Sequence, residues 1–269
     1  KDADVKVTHT LAIPTNLLMI RNLDDFSEVN FDGLIIGSGG MPVPVALIEE
    51  FASHGARIPQ VWGMTELCGV STSLPAEDYL RKAGSCGPPL MNVEISIIDS
   101  EKNHIDKPDT VGEIVARGPM VMRGYWGMEH LNDEFFIDDG WFRTGDAGKI
   151  DTDGYLTISG RWKDMYISGG ENVYPAEVEE IIYQMSEVHE VAVIGIPHDL
   201  WGETGRALVV LKPEMFLSED KVIEFCKSHL AGYKVPKSVI FVDDLPHSAN
   251  GKIQKSKLNI NFSSDKVAG

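Results

Sequence analysis

The sequence predicts a mixed fold in two parts. An α/β layer leads through a small β-rich section into a compact α+β domain. Three observations predict it: a strand, helix and strand in that order within residues 31–66; alternating or β-branched runs between Gly, Asp and Pro turns after about residue 85; and a helix–strand–strand–helix–strand series beyond residue 164.

The first part justifies itself element by element. "FDGLIIGSGGMPVP" (31–44) is a buried strand running into a glycine turn. "PVALIEEFASHG" (44–55) has helical apolar spacing, starts at a proline and stops at Gly55. "PQVWGMTE" (59–66) is strand and turn. This order suggests a parallel unit whose loops share one sheet edge, where open α/β sheets bind ligands. Then "VEISIID" (93–99), "GEIVARG" (112–118) and "YLTISGR" (155–161) predict a small antiparallel sheet or barrel over 85–160. Beyond it follow helix "PAEVEEIIYQMS", strands "VAVIGIP" and "ALVVLK", helix "SEDKVIEFCKSHL" and strand "SVIFVD", which make a domain of ordinary size.

At 269 residues, with 43% hydrophobic and 24% charged residues, the chain has the composition of a soluble globular protein. Its net charge of -17 argues against nucleic acid held on a general basic surface, though not against a single nucleotide. Cys68, Cys86 and Cys226 are odd in number and widely spaced, which supports neither a disulfide framework nor a zinc site. There is no signal-peptide pattern and no run approaching the roughly 18 apolar residues of a membrane span. The expectation is a cytoplasmic protein without an integral membrane segment. Two short motifs lead nowhere. "DTDGYLTI" (151–158) lacks EF-hand spacing and reads as an Asp-Gly hairpin turn, and "NGKIQK" (250–255) is not a phosphate-binding Walker loop.

Four separated segments carry groups suited to one site. "VWGMTE" (61–66) offers an aromatic face for a base, a Thr hydroxyl for a phosphate oxygen and a Glu for Mg²⁺. "GWFRTGD" (140–146) ends in a carboxylate suited to the two hydroxyls of a ribose. "GRWKD" (160–164) supplies Arg161, and "LPHSANGKIQK" (245–255) presents Lys252 in a glycine-bearing loop. Taken singly each has a plain alternative. Trp62 suits a core position, Asp146 a turn, Arg161 and Lys163 a solvated edge, Lys252 an ordinary surface and Glu66 a helix start.

Together and in this order the segments resemble the adenylate-forming superfamily, which includes acyl-CoA synthetases, luciferases and peptide-synthetase adenylation domains. "VWGMTE" is similar to its aromatic-Gly-x-Thr-Glu segment and "GWFRTGD" to its ribose-binding Thr-Gly-Asp. "GRWKDMYISGGENVYPAEVE" is similar to its hinge and following loop, "PHSANGKIQK" to its terminal lysine segment, and "SGGMP" (38–42) to its adenine turn. The resemblance implies a partial large N-terminal domain over 1–160, with an α/β part at 1–84 and a β-barrel part at 85–160. A hinge at 161–163, centred on Lys163, and a small α+β lid domain at 164–269 follow.

Residue by residue it implies that the backbone of Gly39, Gly40 and Met41 lies on one face of adenine and Trp62, where Tyr is commoner, on the other. Gln60 would lie near the exocyclic amine. Thr65 would contact the α-phosphate, Glu66 the Mg²⁺, and Asp146 with Arg161 the ribose. Lys252 would meet the negative charge developing as a carboxylate attacks ATP. Gly169 and Gly170 would leave space beside the thiol of coenzyme A, and Gly63, Met64, Cys68, Gly69 and Val70 would line part of an acyl pocket. The implied cofactors and substrates are ATP/AMP, Mg²⁺, CoA and a small carboxylate. The implied reaction makes acyl-AMP and pyrophosphate, then acyl-CoA and AMP.

The wording of "WGMTE" and "ISGGENVYPAEVE" favours a medium- or long-chain fatty acid–CoA ligase. The family's upstream Ser/Thr/Gly-Pro-Lys phosphate loop does not occur in the sequence. The expectation is therefore a truncated chain, poorly active alone, whose function belongs to a longer form. A non-catalytic nucleotide-binding or regulatory fragment, or an adenylating enzyme with another acceptor, stands as the alternative. Oligomeric state is not legible.

Overall fold

The computed structural model describes residues 7–248 and 253–262 and divides the chain into two compact units between Ile158 and Ser159.

The first unit opens with β1 (His9–Leu11), α1 (Pro14–Arg21), β2 (Ile35–Gly39), α2 (Val45–Ser53), β3 (Gln60–Met64) and β4 (Gly69–Ser73). The four strands form one sheet in the order β1-β2-β3-β4, with β1, β2 and β3 parallel and β4 antiparallel to β3. The strand–helix–strand unit expected over 31–66 is therefore parallel. Helix α2 follows Pro44 and buries Leu47, Ile48 and Phe51 on one stripe. Gly55, at φ +90°, takes the left-handed conformation that ends such helices. This stripe packs with Leu17, Ile36 and Ile58 into the first core.

Next come β5 (Glu94–Ile98), β6 (Gly112–Arg117), α3 (Asn132–Phe135), β7 (Phe136–Ile137), β8 (Trp141–Ile150) and β9 (Leu156–Arg161). They build a five-stranded sheet in the order β5-β6-β8-β7, with β9 paired to β8. Its core contains Ile97, Ile114, Phe142 and Leu156, and it also takes in Trp62 from β3 and Leu67 from the turn beyond. The Asp-Gly turn at 151–154 closes the β8–β9 connection. Asp151 Oδ1 accepts from the amides of Asp153 and Tyr155 at 2.9 Å each, and Lys82 pairs with both Asp151 and Asp153.

The second unit comprises β10 (Tyr166–Ser168), β11 (Glu171–Val173), α4 (Pro175–Tyr183), β12 (Val188–His198), β13 (Gly202–Leu211), α5 (Glu219–His229), β14 (Ser238–Phe241) and α6 (Lys255–Phe262). Its sheet runs β11-β10-β13-β12, with β14 parallel on β13. Strands β12 and β13 read as nearly continuous apolar runs because both faces are covered. Val191, Val193, Ala207 and Val209 pack with α4 and α5 residues such as Val178, Ile182 and Val222. The alternate residues Ala192, Ile194, Leu208 and Val210 pack with Leu245 and Leu258 of α6.

Tyr166 is 2% exposed, its ring laid across two glycines that face each other in the β12–β13 ladder, Gly195 and Gly205. A Cβ at Gly195 would stand 2.5 Å from the Tyr166 Cβ, and one at Gly205 would stand 2.4 Å from the Tyr166 hydroxyl. That hydroxyl is buried with no hydrogen-bond partner among the described residues. Gly205→Ala is therefore expected to destabilise the protein by about 1–3 kcal/mol through overpacking. Tyr166→Phe, which removes an unsatisfied group, should cost little or stabilise. The double variant should recover most of the Gly205→Ala loss, because the clash is with the hydroxyl itself. Denaturant unfolding of the four proteins measures this. Additive losses would show that the slot is not what holds the glycines.

Candidate functional site

Strand β3 has two faces, and the residue period of two assigns its side chains to them. Gln60 and Trp62 turn into the interior, whereas Val61 and Gly63 line a cleft of about 500 Å³ together with Gly40, Met64, Thr65, Cys68, Gly69 and Val70. All five residues that the resemblance sets in an acyl pocket border this one cleft. Its floor is glycine because the β3–β4 hairpin folds back on itself there. A Cβ on Gly63 would stand 1.9 Å from the Gly69 carbonyl oxygen. Cys68 (φ 54°) and Gly69 (φ 109°) make the reversal in the left-handed region. At the neighbouring lip, Gly39 is pressed against β3, where a Cβ would meet the Val61 carbonyl oxygen at 2.5 Å. Gly40, at φ +83°, turns the chain outward, and Met41 is exposed.

Gln60 has a different surrounding from the one the resemblance implies. It is buried, its Oε1 accepting from the Val43 amide at 3.3 Å and its Nε2 donating to the Ser85 carbonyl at 3.4 Å. Its amide braces the strand from inside.

Thr65, Glu66 and Leu67 form one 3-10 turn, which leaves Thr65 exposed and Glu66 half-buried at the cleft end. The loop after β6 grips Glu66 twice. The Met122 amide donates to the Glu66 carbonyl at 2.8 Å, and the Tyr125 hydroxyl donates to Glu66 Oε1 at 2.7 Å. Partial burial and the Glu66 carboxylate push the Tyr125 phenol up to about 12, so it stays a donor at every physiological pH.

Asp146 sits in a bulge. Along the β6–β8 ladder Glu113 faces Ala147 and Val115 faces Arg143, so Thr144, Gly145 and Asp146 stand opposite Ile114 alone. Gly145 takes φ +69° to accommodate them. Thr144 Oγ1 donates to the Ile114 carbonyl at 2.7 Å and accepts from the Asp146 amide at 3.1 Å. Glu113, 3% exposed, takes a bidentate bond from Arg143 at 3.0 and 2.7 Å and accepts from the Gly145 amide at 3.3 Å. The bulge delivers the carboxylate to β3, where the Trp62 indole N–H donates to Asp146 Oδ2 at 2.9 Å. Cys86 packs in the same core as Trp62. Burial, together with the Asp146 charge, pushes its thiol up to about 12.

The remaining expected residues belong to the second unit. Arg161 ends β9 and is exposed. Lys163 is exposed in the short turn that follows and borders a narrow polar cleft of about 110 Å³ with Glu203 and Lys255. Gly169 (φ 62°) and Gly170 (φ 89°) are the two central residues of the β10–β11 hairpin, where both must be left-handed. Gly169 also lies under Trp201, whose ring carbon Cε3 would be 2.7 Å from a Cβ there. Lys252 lies outside the described residues. The base of its loop is held by the His247–Ile253 bridge, by the Gln254 amide on the Pro246 carbonyl and by a His247–Glu190 ion pair at 3.2 Å.

With this geometry in place, comparison with known proteins is decisive. The family model for AMP-binding enzymes matches residues 3–126, and the model for the AMP-binding enzyme C-terminal domain matches residues 177–252. The chain belongs to the AMP-binding enzyme family. Among curated relatives of this AMP-binding chain, the long-chain-fatty-acid–CoA ligase FadD13 of Mycobacterium tuberculosis is 41% identical over 94% of the chain and 50% of its own length. The indoleacetate–CoA ligase of Aromatoleum aromaticum is 38% identical over 93% of the chain and 49% of its own. Among solved structures, o-succinylbenzoate CoA synthetase (MenE) from Bacillus subtilis in complex with its acyl-adenylate intermediate superposes with a TM-score of 0.86. It is 35% identical and covers 98% of this chain and 52% of its own. The chain thus spans about half the length of the curated relatives it matches.

Three residues of the site escaped the sequence: Tyr125, Glu113 and Arg143. The one signal for Glu113 is a carboxylate inside the otherwise apolar strand "GEIVA", which needs a buried cation or donors. Tyr125 gives no local signal, since its partner is 59 residues away.

The cysteines make the cleft's exposure measurable. Cys68 is exposed at the rim, whereas Cys86 and Cys226 are buried, with thiols pushed up to about 12 and about 11. A disulfide exchange reagent at pH 8 should modify one thiol per native chain rapidly, lost in Cys68→Ser, and the other two only on unfolding. Rapid reaction of two or three thiols in the native protein would contradict this burial pattern.

Proposed function

We propose that the protein carrying this chain is an ATP-dependent acid–CoA ligase. A carboxylate attacks ATP to give acyl-AMP and pyrophosphate, and the acyl group then passes to the thiol of CoA, releasing AMP. One observation carries this reading. Trp62 and Asp146, assigned to the same nucleotide and 84 residues apart, are hydrogen-bonded beside a cleft bordered by every residue assigned to the acyl group. All eight of the first curated relatives are CoA ligases, which supports the acceptor.

In this reading the adenine lies against the backbone of Gly39, Gly40 and Met41, with Trp62 and Gln60 on the β3 side. Asp146 and Arg161 take the ribose hydroxyls, and Thr65 takes the α-phosphate. Glu66 suits Mg²⁺. It is a hard carboxylate, half-buried and fixed by Tyr125, and such sites draw their other ligands from nucleotide phosphates and water. When bound, the ion offsets charge on the phosphates. Lys252 stabilises negative charge in the adenylation step, Lys163 is the hinge, and the Gly169–Gly170 turn gives passage to the CoA thiol. The scattered, buried thiols fit a reducing cytoplasm.

The walls of the cleft, Val61, Met64 and Val70 over a glycine floor, are apolar and suit a medium- or long-chain fatty acid. The relatedness to an indoleacetate–CoA ligase favours an aryl acid as the second reading. A panel of carboxylates with ATP, Mg²⁺ and CoA, run on the full product of the reading frame that encodes this chain, decides between them. Fatty acids should give AMP and thioester ahead of aryl acids. No thioester with any acid, despite pyrophosphate exchange, would replace CoA by another acceptor. Neither product would leave a nucleotide-binding protein without catalysis. Lys252→Ala should lower the adenylation rate by about a hundredfold or more, while thioester formation from supplied acyl-AMP is retained.

Tyr125→Phe tests the Glu66 assignment. Loss of its hydrogen bond should raise the Mg²⁺ concentration needed for half-maximal adenylation severalfold, with little change in the KM for the acid. An unchanged Mg²⁺ requirement would make Tyr125 a packing residue only.

A further inference from the structure

We infer that the Trp62 indole N–H is a positioning group for Asp146, and that selection of a nucleotide with an intact 2′,3′-diol runs through that one hydrogen bond. The inference rests on the nucleotide site proposed above and adds to Trp62 a role that stacking does not supply.

Four features support it. Trp62 is only 7% exposed and packs among Leu67, Ile114 and Phe142, so its ring cannot swing. A ring so enclosed has little face to offer a base, and what it brings to the site is its N–H. An indole N–H donates and never accepts, so it holds an ionised carboxylate and cannot be turned to hold a protonated one's hydroxyl. Its partner is charged, at 2.9 Å, and donor bonds to charged acceptors are the stronger class. The β8 backbone is also built to bring the carboxylate there. The bulge, left-handed Gly145, the Thr144 hydroxyl and the Glu113–Arg143 pair all fix the segment that ends in Asp146.

A buried indole needs some acceptor, and a backbone carbonyl would satisfy it with no charge to desolvate. The use of a carboxylate held beside the Cys86 thiol points instead to a group kept in a set plane for a ligand. A carboxylate reads two vicinal hydroxyls only when both of its oxygens face them together. Fixing Oδ2 fixes that plane. Without the indole donor the carboxylate can rotate about its Cβ–Cγ bond, and a single hydroxyl then binds almost as well as a pair.

The experiment uses the ¹⁵N-labelled chain and two nucleotides. Five tryptophans give five indole signals, and Trp62→Phe identifies the one of interest. That signal should shift in Asp146→Asn and should follow the acid titration of the Asp146 carboxylate in the parent protein. An indole signal indifferent to both would overturn the hydrogen bond. Calorimetry then compares AMP with 3′-deoxy-AMP. The parent should prefer AMP by about tenfold or more, the scale of one hydrogen bond to a charged group. Replacement of Trp62 by benzothienylalanine, which keeps the ring and removes the N–H, should cut the preference to about twofold, with most of the change in AMP affinity. Trp62→Phe should behave alike, and the isostere covers the case in which the smaller ring disturbs the core. An AMP preference that survives in the isostere would overturn the positioning role while leaving the nucleotide site intact. Failure of the parent to bind AMP at all would overturn the nucleotide site, and the inference with it.

Discussion

The hydrogen bond between the Trp62 indole and the Asp146 carboxylate joins two sheets that meet through few other polar side chains, and the local architecture is arranged around it. On one side, β3 must keep Trp62 pointed into the core, which the strand period does once Val61 and Gly63 face the cleft. On the other, β8 must carry its carboxylate out of register, which an unbulged strand cannot do. Three residues opposite one, with a left-handed glycine in the middle, bend β8 locally and re-aim Asp146. The cost of placing charge there is met by a second, better-buried pair, Glu113 with Arg143, which takes the neighbouring amide as well. Buried pairs of this kind add little net stability, and their value lies in fixing a geometry.

Two different demands account for the glycines that matter. Gly39, Gly63, Gly195 and Gly205 are required because other atoms occupy the space of a side chain. Gly40, Gly145, Gly169 and Gly170 are required because the backbone is left-handed. In the first unit the close-approach glycines make the cleft. They let β2, β3 and β4 crowd together so that backbone, and not side chains, forms the floor. Backbone donors and acceptors held in that way need no rotamer to be frozen when a flat ligand arrives.

The fold was largely legible in the sequence. Pro44 and Gly55 bracket α2, the apolar runs of β12 and β13 announce a sheet covered on both faces, and the Asp-Gly turn closes β8 onto β9. The cleft was legible as well, since Gly63 to Val70 are nearly contiguous and a hairpin keeps them together. What the sequence could not convey is which way a side chain faces at a given register. Trp62 had two readings from the sequence, core residue and nucleotide contact, and the structure satisfies the first while giving its polar atom to Asp146. Gln60, one pleat away, is wholly on the inner side. Tyr125 and Glu113 were invisible because their partners lie in other elements. No period or spacing in a single strand reports a cross-strand bulge or a loop that returns to cap a carboxylate.

The order of "VWGMTE" acquires a physical sense from this arrangement. Odd and even residues of one short strand serve different chambers: Val61 and Gly63 the cleft, Trp62 the side of Asp146. The strand then stops and a 3-10 turn begins, which ends the alternation and presents Thr65 and Glu66 together at the end of the cleft. A hydroxyl and a carboxylate adjacent in sequence would point to opposite faces in a strand; in a tight helical turn they diverge far less. Placing the strand-to-turn transition between Met64 and Thr65 therefore lets six consecutive residues address three different regions of one bound molecule. Shifting that transition by one residue would move Thr65 onto the strand and separate it from Glu66. That is why the hairpin's reversal is fixed so tightly by Gly63, Cys68 and Gly69.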